Sequence, residues 1–184
     1  MNSTQNTPDQ VLDFWFRELK PRQWWGKSDE LDRLIESRFG ALLEVAERCE
    51  LFGWRETAWG RLAEVIVLDQ FSRNIYRAQA RAFANDALAL GLAQTAVADG
   101  ADRELEATQQ AFLYMPYMHS ESLLIHAQAV KLFSQPGMEG NLAFELRHKE
   151  IIERFGRYPH RNAALGRIST PAEIEFLKTP GSSF

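Results

Sequence analysis

With one cysteine among 184 residues, Cys49, the chain cannot form an internal disulfide or a multi-cysteine zinc site. It has no glycine-rich nucleotide fingerprint and no nucleophile elbow. Alternating apolar and polar runs rich in β-branched residues are also missing, which removes the signal for strands. The uncharged run from Ala107 to Ser120 is interrupted by Pro116 and is shorter than the ~20 apolar residues that a membrane span requires. The polar start, Met1 to Thr7, has neither the basic residues nor the apolar run of a signal peptide or anchor, so a cytoplasmic location is expected. Nor is there a basic excess: 25 acidic against 21 basic side chains leave a net charge of -4, which gives no general attraction to nucleic acid or an anionic membrane.

What is present is helical periodicity. At 184 residues and 45% hydrophobic, the chain suits a single domain spanning 1–184. Thr7-Pro8-Asp9-Gln10 supplies an N-cap, a proline at the first helical position and a glutamine at the third, opening a helix through Leu19 that Pro21 ends. Ser28 caps a second helix running to about Glu50, with Gly53 as the break. A third, apolar nearly all round and therefore central, runs from Thr57 to about Arg77. Asn85 is the expected cap of an alanine-rich helix, and Asp102 or Arg103 to Met115 reads as the next. Pro116 restarts or kinks the chain into a helix through Phe133, and Asn141 caps another ending at Phe155-Gly156. Thr170-Pro171-Ala172-Glu173 is a capping box opening a short helix through Leu177. The fold class expected is all-α, with about seven or eight helices.

The central helix carries the unusual chemistry. At about 100° per residue, Asp69 and Arg73 fall within the stripe of Leu62, Val65 and Ile66, while Val67, Leu68, Phe71 and Ile75 cover the other side. A carboxylate and a guanidinium placed where hydrocarbon is expected must be paired, because an unpaired buried ion costs several kcal/mol. Arg73 and Arg77, one turn apart, can clamp a carboxylate or phosphate with Asp69 holding Arg73 in place; equally, Asp69 and Arg73 can simply neutralise each other. His119 and His126 share an apolar face, His148 shares one with Phe144, Ile151 and Phe155, and His160 stands in a loop beside Arg161 and Asn162. A histidine beside Asp69 or Glu121 would be oriented for acid–base work. The seven-residue gap from His119 to His126 is not the spacing of a helical zinc motif, so neither metal nor cofactor is expected. From Arg147 to Arg167, six basic side chains face only Glu150 and Glu153, which favours a small anion. Asn162 after a tight loop suits an Asx-type turn as well as a ligand. Cys49, on the stripe of Ile35, Phe39, Leu42 and Ala46, reads as a buried apolar side chain, and Trp15, Trp59 and Phe71 as core. Gly60 reads as a close packing contact, and one of Trp24 and Trp25 as lining a cleft or an interface.

Leu68-Asp69-Gln70-Phe71-Ser72-Arg73-Asn74, Met115-Pro116-Tyr117-Met118-His119-Ser120-Glu121 and Gly156-Arg157-Tyr158-Pro159-His160-Arg161-Asn162 resemble the marker segments of a bacterial family, domain of unknown function 924. Leu165 to Pro171 resembles its closing segment, and Asp13-Phe14-Trp15-Phe16 with Trp24-Trp25 its opening, so the likeness covers nearly the whole chain. Ser72 stands where the family favours proline, and His126 is not required by the pattern. The resemblance implies helix pairs stacked antiparallel, as in the tetratricopeptide-repeat superfamily, and no established activity. The candidate site is Asp69, Arg73, Asn74, Arg77, His119, Glu121, His148, His160, Arg161 and Asn162. Its expected role is capture of an anionic small molecule or peptide carboxylate. The alternatives are hydrolysis with histidine and Glu121 or Asp69 as the acid–base pair, and a protein-interaction scaffold.

Overall fold

The computed structural model describes residues 6–183, so the first five residues of the polar N-terminal start lie outside the described residues. Every regular element among the described residues is helical. Helix α1 (Pro8–Asp13) opens on the expected capping box of Thr7 and Gln10, then widens into a π-helical turn, Phe14–Glu18. After the short α2 (Pro21–Trp25), Ser28 caps α3 (Asp29–Glu47) by accepting from the Leu31 N–H. Acidic Asp29, Glu30 and Asp32 occupy the first turn of α3, where the helix dipole favours them. Its stripe of Leu31, Ile35, Phe39, Leu42, Leu43 and Ala46 is buried.

Helix α4 (Ala58–Ile66) is the central element, capped by Thr57. It begins where Gly60 meets the preceding loop so closely that a Cβ there would lie 1.9 Å from the Trp54 carbonyl oxygen. The single helix expected from Thr57 to Arg77 is instead interrupted: Val67–Phe71 forms a π-helical turn before the chain tightens into α5 (Ser72–Ile75). A π turn fits one more residue than the α winding and is often found at functional positions. Here it holds Asp69 and Gln70, both buried. Around it packs an aromatic cluster in which Phe71 meets Phe14, Trp15 and Phe39.

Helix α6 (Asp86–Ala98) buries Ala89, Ala93 and Ala96 against its neighbours. Asn85 precedes it but does not cap it with its side chain; that amide is drawn instead to Glu47 (3.1 Å) and Ser72 (3.0 Å). The helix expected from Asp102 or Arg103 to Met115 starts later, as α7 (Ala107–Met118), behind a separate 3-10 turn at Ala101–Glu104. Pro116 lies inside α7, so the expected restart at the proline gives way to a break at His119–Ser122, ahead of α8 (Leu123–Phe133). In α9 (Glu139–Phe155) the cap position is Met138 rather than Asn141, and the helix closes on Gly156 in the left-handed region (φ 69°). The chain then turns through Pro159–Arg161 and ends in α10 (Pro171–Leu177), opened by the Thr170–Glu173 capping box.

Two packing expectations fail. Cys49 is exposed, because α3 ends at Glu47 and Cys49 leaves the stripe with a φ of 58°. Trp59 is also exposed: it lies on the outer side of the first turn of α4, next to buried Ala58 and Gly60. Trp25 is 61% exposed and stacks on Phe112, whereas Trp24 turns inward and donates from Nε1 to the Trp15 carbonyl (2.8 Å).

Candidate functional site

The π turn, the N-terminus of α6, the α7–α8 junction and the Pro159–Arg161 turn bring Asp69, Arg73, Asp86, His119 and Arg161 into one network. Asp69 is fully buried. Its Oδ1 accepts from His119 Nδ1 (2.8 Å) and pairs with Arg73 (3.1 Å), while Oδ2 accepts from Gln70 (2.6 Å). Burial alone would raise the Asp69 pKa, but the charge of Arg73 and the contact with His119 outweigh it and hold the carboxyl well below the usual range. Because Asp69 is an anion, Nδ1 of His119 must carry the proton. Burial and the charge of Arg73 push the imidazole pKa down, so the ring is neutral and Nε2 is a lone-pair acceptor. The His119 side chain is 13% exposed, and among the described residues no group hydrogen-bonds to Nε2.

Asp86 bridges the two guanidiniums. Arg73 reaches it at 3.0 Å and Arg161 at 3.0 Å, and Asp86 itself is 20% exposed. Arg161 also donates to the His119 carbonyl (2.9 Å), and its guanidinium lies 4.7 Å from the ring centres of both Phe83 and Tyr158. Its side chain is only 6% exposed, yet Nε–H finds no acceptor among the described residues. Burial, then the like charge of Arg73, push its pKa below the ordinary arginine value. With two carboxylates, two guanidiniums and a neutral imidazole, the network balances its charge internally.

The remaining candidates separate into other roles. Asn74 and Arg77 both turn to Asp32 on α3, at 2.8 Å and at 2.5 and 2.7 Å, so the expected Arg73–Arg77 clamp does not form. Glu121 is gripped by Arg167 (2.7 and 2.9 Å) and accepts from the Tyr158 N–H (2.7 Å), which holds the Pro159–Arg161 turn against the α7–α8 junction. Asn162 donates to Ser169 (3.0 Å) and accepts from Arg167 (2.9 Å), closing the following loop. His148 donates from Nδ1 to the Phe144 carbonyl (2.7 Å), and His160 packs against Tyr158. Burial pushes both imidazoles down to about 3.

Three of the chain's four histidines lie against Tyr158. His126, His148 and His160 have ring centres within 6.3, 5.8 and 5.6 Å of it, and Arg161 links it to His119. Even so, no group of three or more His, Cys, Asp or Glu side chains able to hold a metal ion occurs among the described residues. Two surface cavities, of about 370 and 580 Å³, lie away from the network: one beside Asp9, Phe16 and Trp59, the other beside Arg154, Arg157 and Glu173. Sequence reasoning did not place Asp86, Arg167 or Glu145 in the site, and Arg167 figured only as the end of the basic run. Glu145 had a signal, since on α9 it falls three residues before His148 and seven before Ile152, on a buried face.

These features define an all-helical protein with an internally balanced Asp–His–Arg network at a helix junction. No helix among the described residues is long and apolar enough to cross a membrane. Residues 11–181 match the family described as bacterial protein of unknown function, DUF924, and the chain belongs to that family. A solved structure titled a protein of unknown function, ATU0120 from Agrobacterium tumefaciens, superposes with a TM-score of 0.88 at 36% identity, covering 93% of this chain and 96% of that one. Among curated proteins, none matches.

Proposed function

We propose that the junction of α5, α6, α7 and the Pro159–Arg161 turn binds a small anion, a carboxylate or a phosphate, through Arg73 and Arg161. The observation that carries this reading is the Nε–H of Arg161, which is buried and lacks an acceptor among the described residues. Two guanidiniums share one partly exposed carboxylate, Asp86, so an incoming anion competes with Asp86 for donors already aimed at a common point. Titration calorimetry with inorganic phosphate and with acetate tests this. Arg161→Gln should weaken binding by about 10- to 100-fold, since a hydrogen bond to a charged group contributes roughly 1.5–3 kcal/mol. Asp86→Asn should strengthen it, because the internal competitor is gone. Absence of saturable heat with either anion in both the parent and Asp86→Asn proteins would count against anion capture.

A second reading rests on the imidazole. Asp69 orients His119 through Nδ1 and leaves Nε2 as a neutral base, the relation that a carboxylate–histidine pair has in acid–base hydrolysis. A panel of phosphoesters, carboxylic esters and amides would probe it. Hydrolysis that survives His119→Ala would remove His119 from that role.

A further inference from the structure

Behind the network lies a second buried pair that neither reading uses. His126 and Glu145 are both fully buried, with Nδ1 and Oε1 2.7 Å apart. The opposite nitrogen, Nε2, is 2.9 Å from the Ser120 carbonyl and 3.1 Å from the Tyr158 hydroxyl. A carbonyl only accepts, and the Tyr158 hydroxyl gives its proton to the Met118 carbonyl (2.6 Å), so Nε2 must carry a proton. That leaves the proton between Nδ1 and Oε1. It sits either on nitrogen, making imidazolium and carboxylate, or on oxygen, making neutral imidazole and neutral carboxylic acid.

The second oxygen of Glu145 discriminates between them. Oε2 is buried and has no hydrogen-bond partner among the described residues. An ionised carboxylate would leave half its charge on that bare atom, whereas a carboxylic acid presents there only a neutral carbonyl oxygen. Lys149, the cation one turn along α9, is committed to Glu153 on its outer side. Burial also moves the Glu145 pKa upward.

We propose that Glu145 is a neutral carboxylic acid that donates its proton to Nδ1 of His126, fixing the Nε2–H tautomer, and that this pair is a positioning device for the anion site. The Nε2–H grips Ser120, the residue after His119, and meets the hydroxyl of Tyr158, whose ring carries Arg161. One buried proton thus fixes two of the groups that hold Arg161, the Tyr158 ring and, through Ser120, the His119 carbonyl. The positioning half rests on the binding reading; the protonation half does not.

Two measurements test the halves separately. In the parent protein at neutral pH, infrared spectra should show a carboxylic acid carbonyl band that Glu145→Gln removes, and nitrogen NMR should show the His126 ring protonated at Nε2 only. A His126 ring protonated on both nitrogens with no such band would overturn the assignment. In phosphate titrations, Glu145→Gln should bind within about twofold of the parent, because its amide N–H donates to Nδ1 as the acid does. Glu145→Leu, shown by circular dichroism to be folded, should bind more than tenfold more weakly. Equal binding by the leucine variant would overturn the positioning role, as would a Glu145→Gln protein as impaired as the leucine one. If Glu145→Leu does not fold, binding by Glu145→Gln more than tenfold weaker than the parent overturns the positioning role by itself. A parent protein that binds no phosphate yet shows the band and the single tautomer would remove the anion site, and the positioning role with it, while leaving the buried acid in place.

Discussion

Asp69 and Gly60 show, residue by residue, how costly features become signals. Substituting Asp69 by Asn leaves Arg73 and His119 without their buried anion, and breaking such a pair costs roughly 3–5 kcal/mol. Denaturant unfolding of Asp69→Asn should therefore show a midpoint well below that of the parent. Gly60→Ala sets a methyl group 1.9 Å from a backbone oxygen that cannot rotate away. A melting temperature lower by roughly 2–10 °C is expected, since overpacking costs about 1–3 kcal/mol in a chain of this size. Both residues were legible from sequence, Asp69 because charge on an apolar stripe demands a partner and Gly60 because glycine in a buried helix marks close approach. Asn74, Arg77 and Asn162 were legible only as polar groups on the right segments. Spacing along one helix says which groups can face the same space, but not that Asp32 on α3 will take two of them.

Between elements, the junctions were the hardest part to read. Capping boxes at Thr7 and Thr170 were evident because cap, proline and third-position acceptor are local and self-contained. Thr170→Ala should lower stability by about 1 kcal/mol, seen as a shifted urea midpoint with an unchanged slope. The π turn at Val67–Phe71 had no such local mark, because its residues have the same apolar pattern as α-helix and only the packing around Phe71 decides the winding. The same limit applies at Pro116. The proline sits late in α7, and the chain turns where Glu121 meets Arg167 and Tyr158, contacts between residues 37 and 46 positions apart. Helix class was thus readable from periodicity, while the exits that assemble the site depend on distant partners.

Across the whole molecule, the histidines set the response to acid. Unfolded, His148 and His160 take up protons near pH 6.5; folded, they do so only near 3. Between those values the unfolded state holds more protons, so stability falls as pH drops, by up to about 2.7 kcal/mol per pH unit while both contribute. Asp69 and Glu121, whose folded pKa values are depressed, add losses further into acid, whereas Glu145, raised, works in the opposite sense. Urea unfolding followed from neutral pH into mild acid should show this fall, and replacing His148 and His160 by Gln should flatten it. The wide turn in the central helix has a different kind of consequence. Its surplus residue rotates everything downstream by about 100° relative to unbroken winding of the same residues, so a face drawn from α4 at a constant angle does not carry past it. Deleting one residue ahead of Asp69 would let the stretch rewind as plain α-helix, leaving the guanidinium four residues after its carboxylate and the downstream segment close to its present heading. The chain therefore tolerates the loss of one residue at this turn better than at any regular point along the same helix.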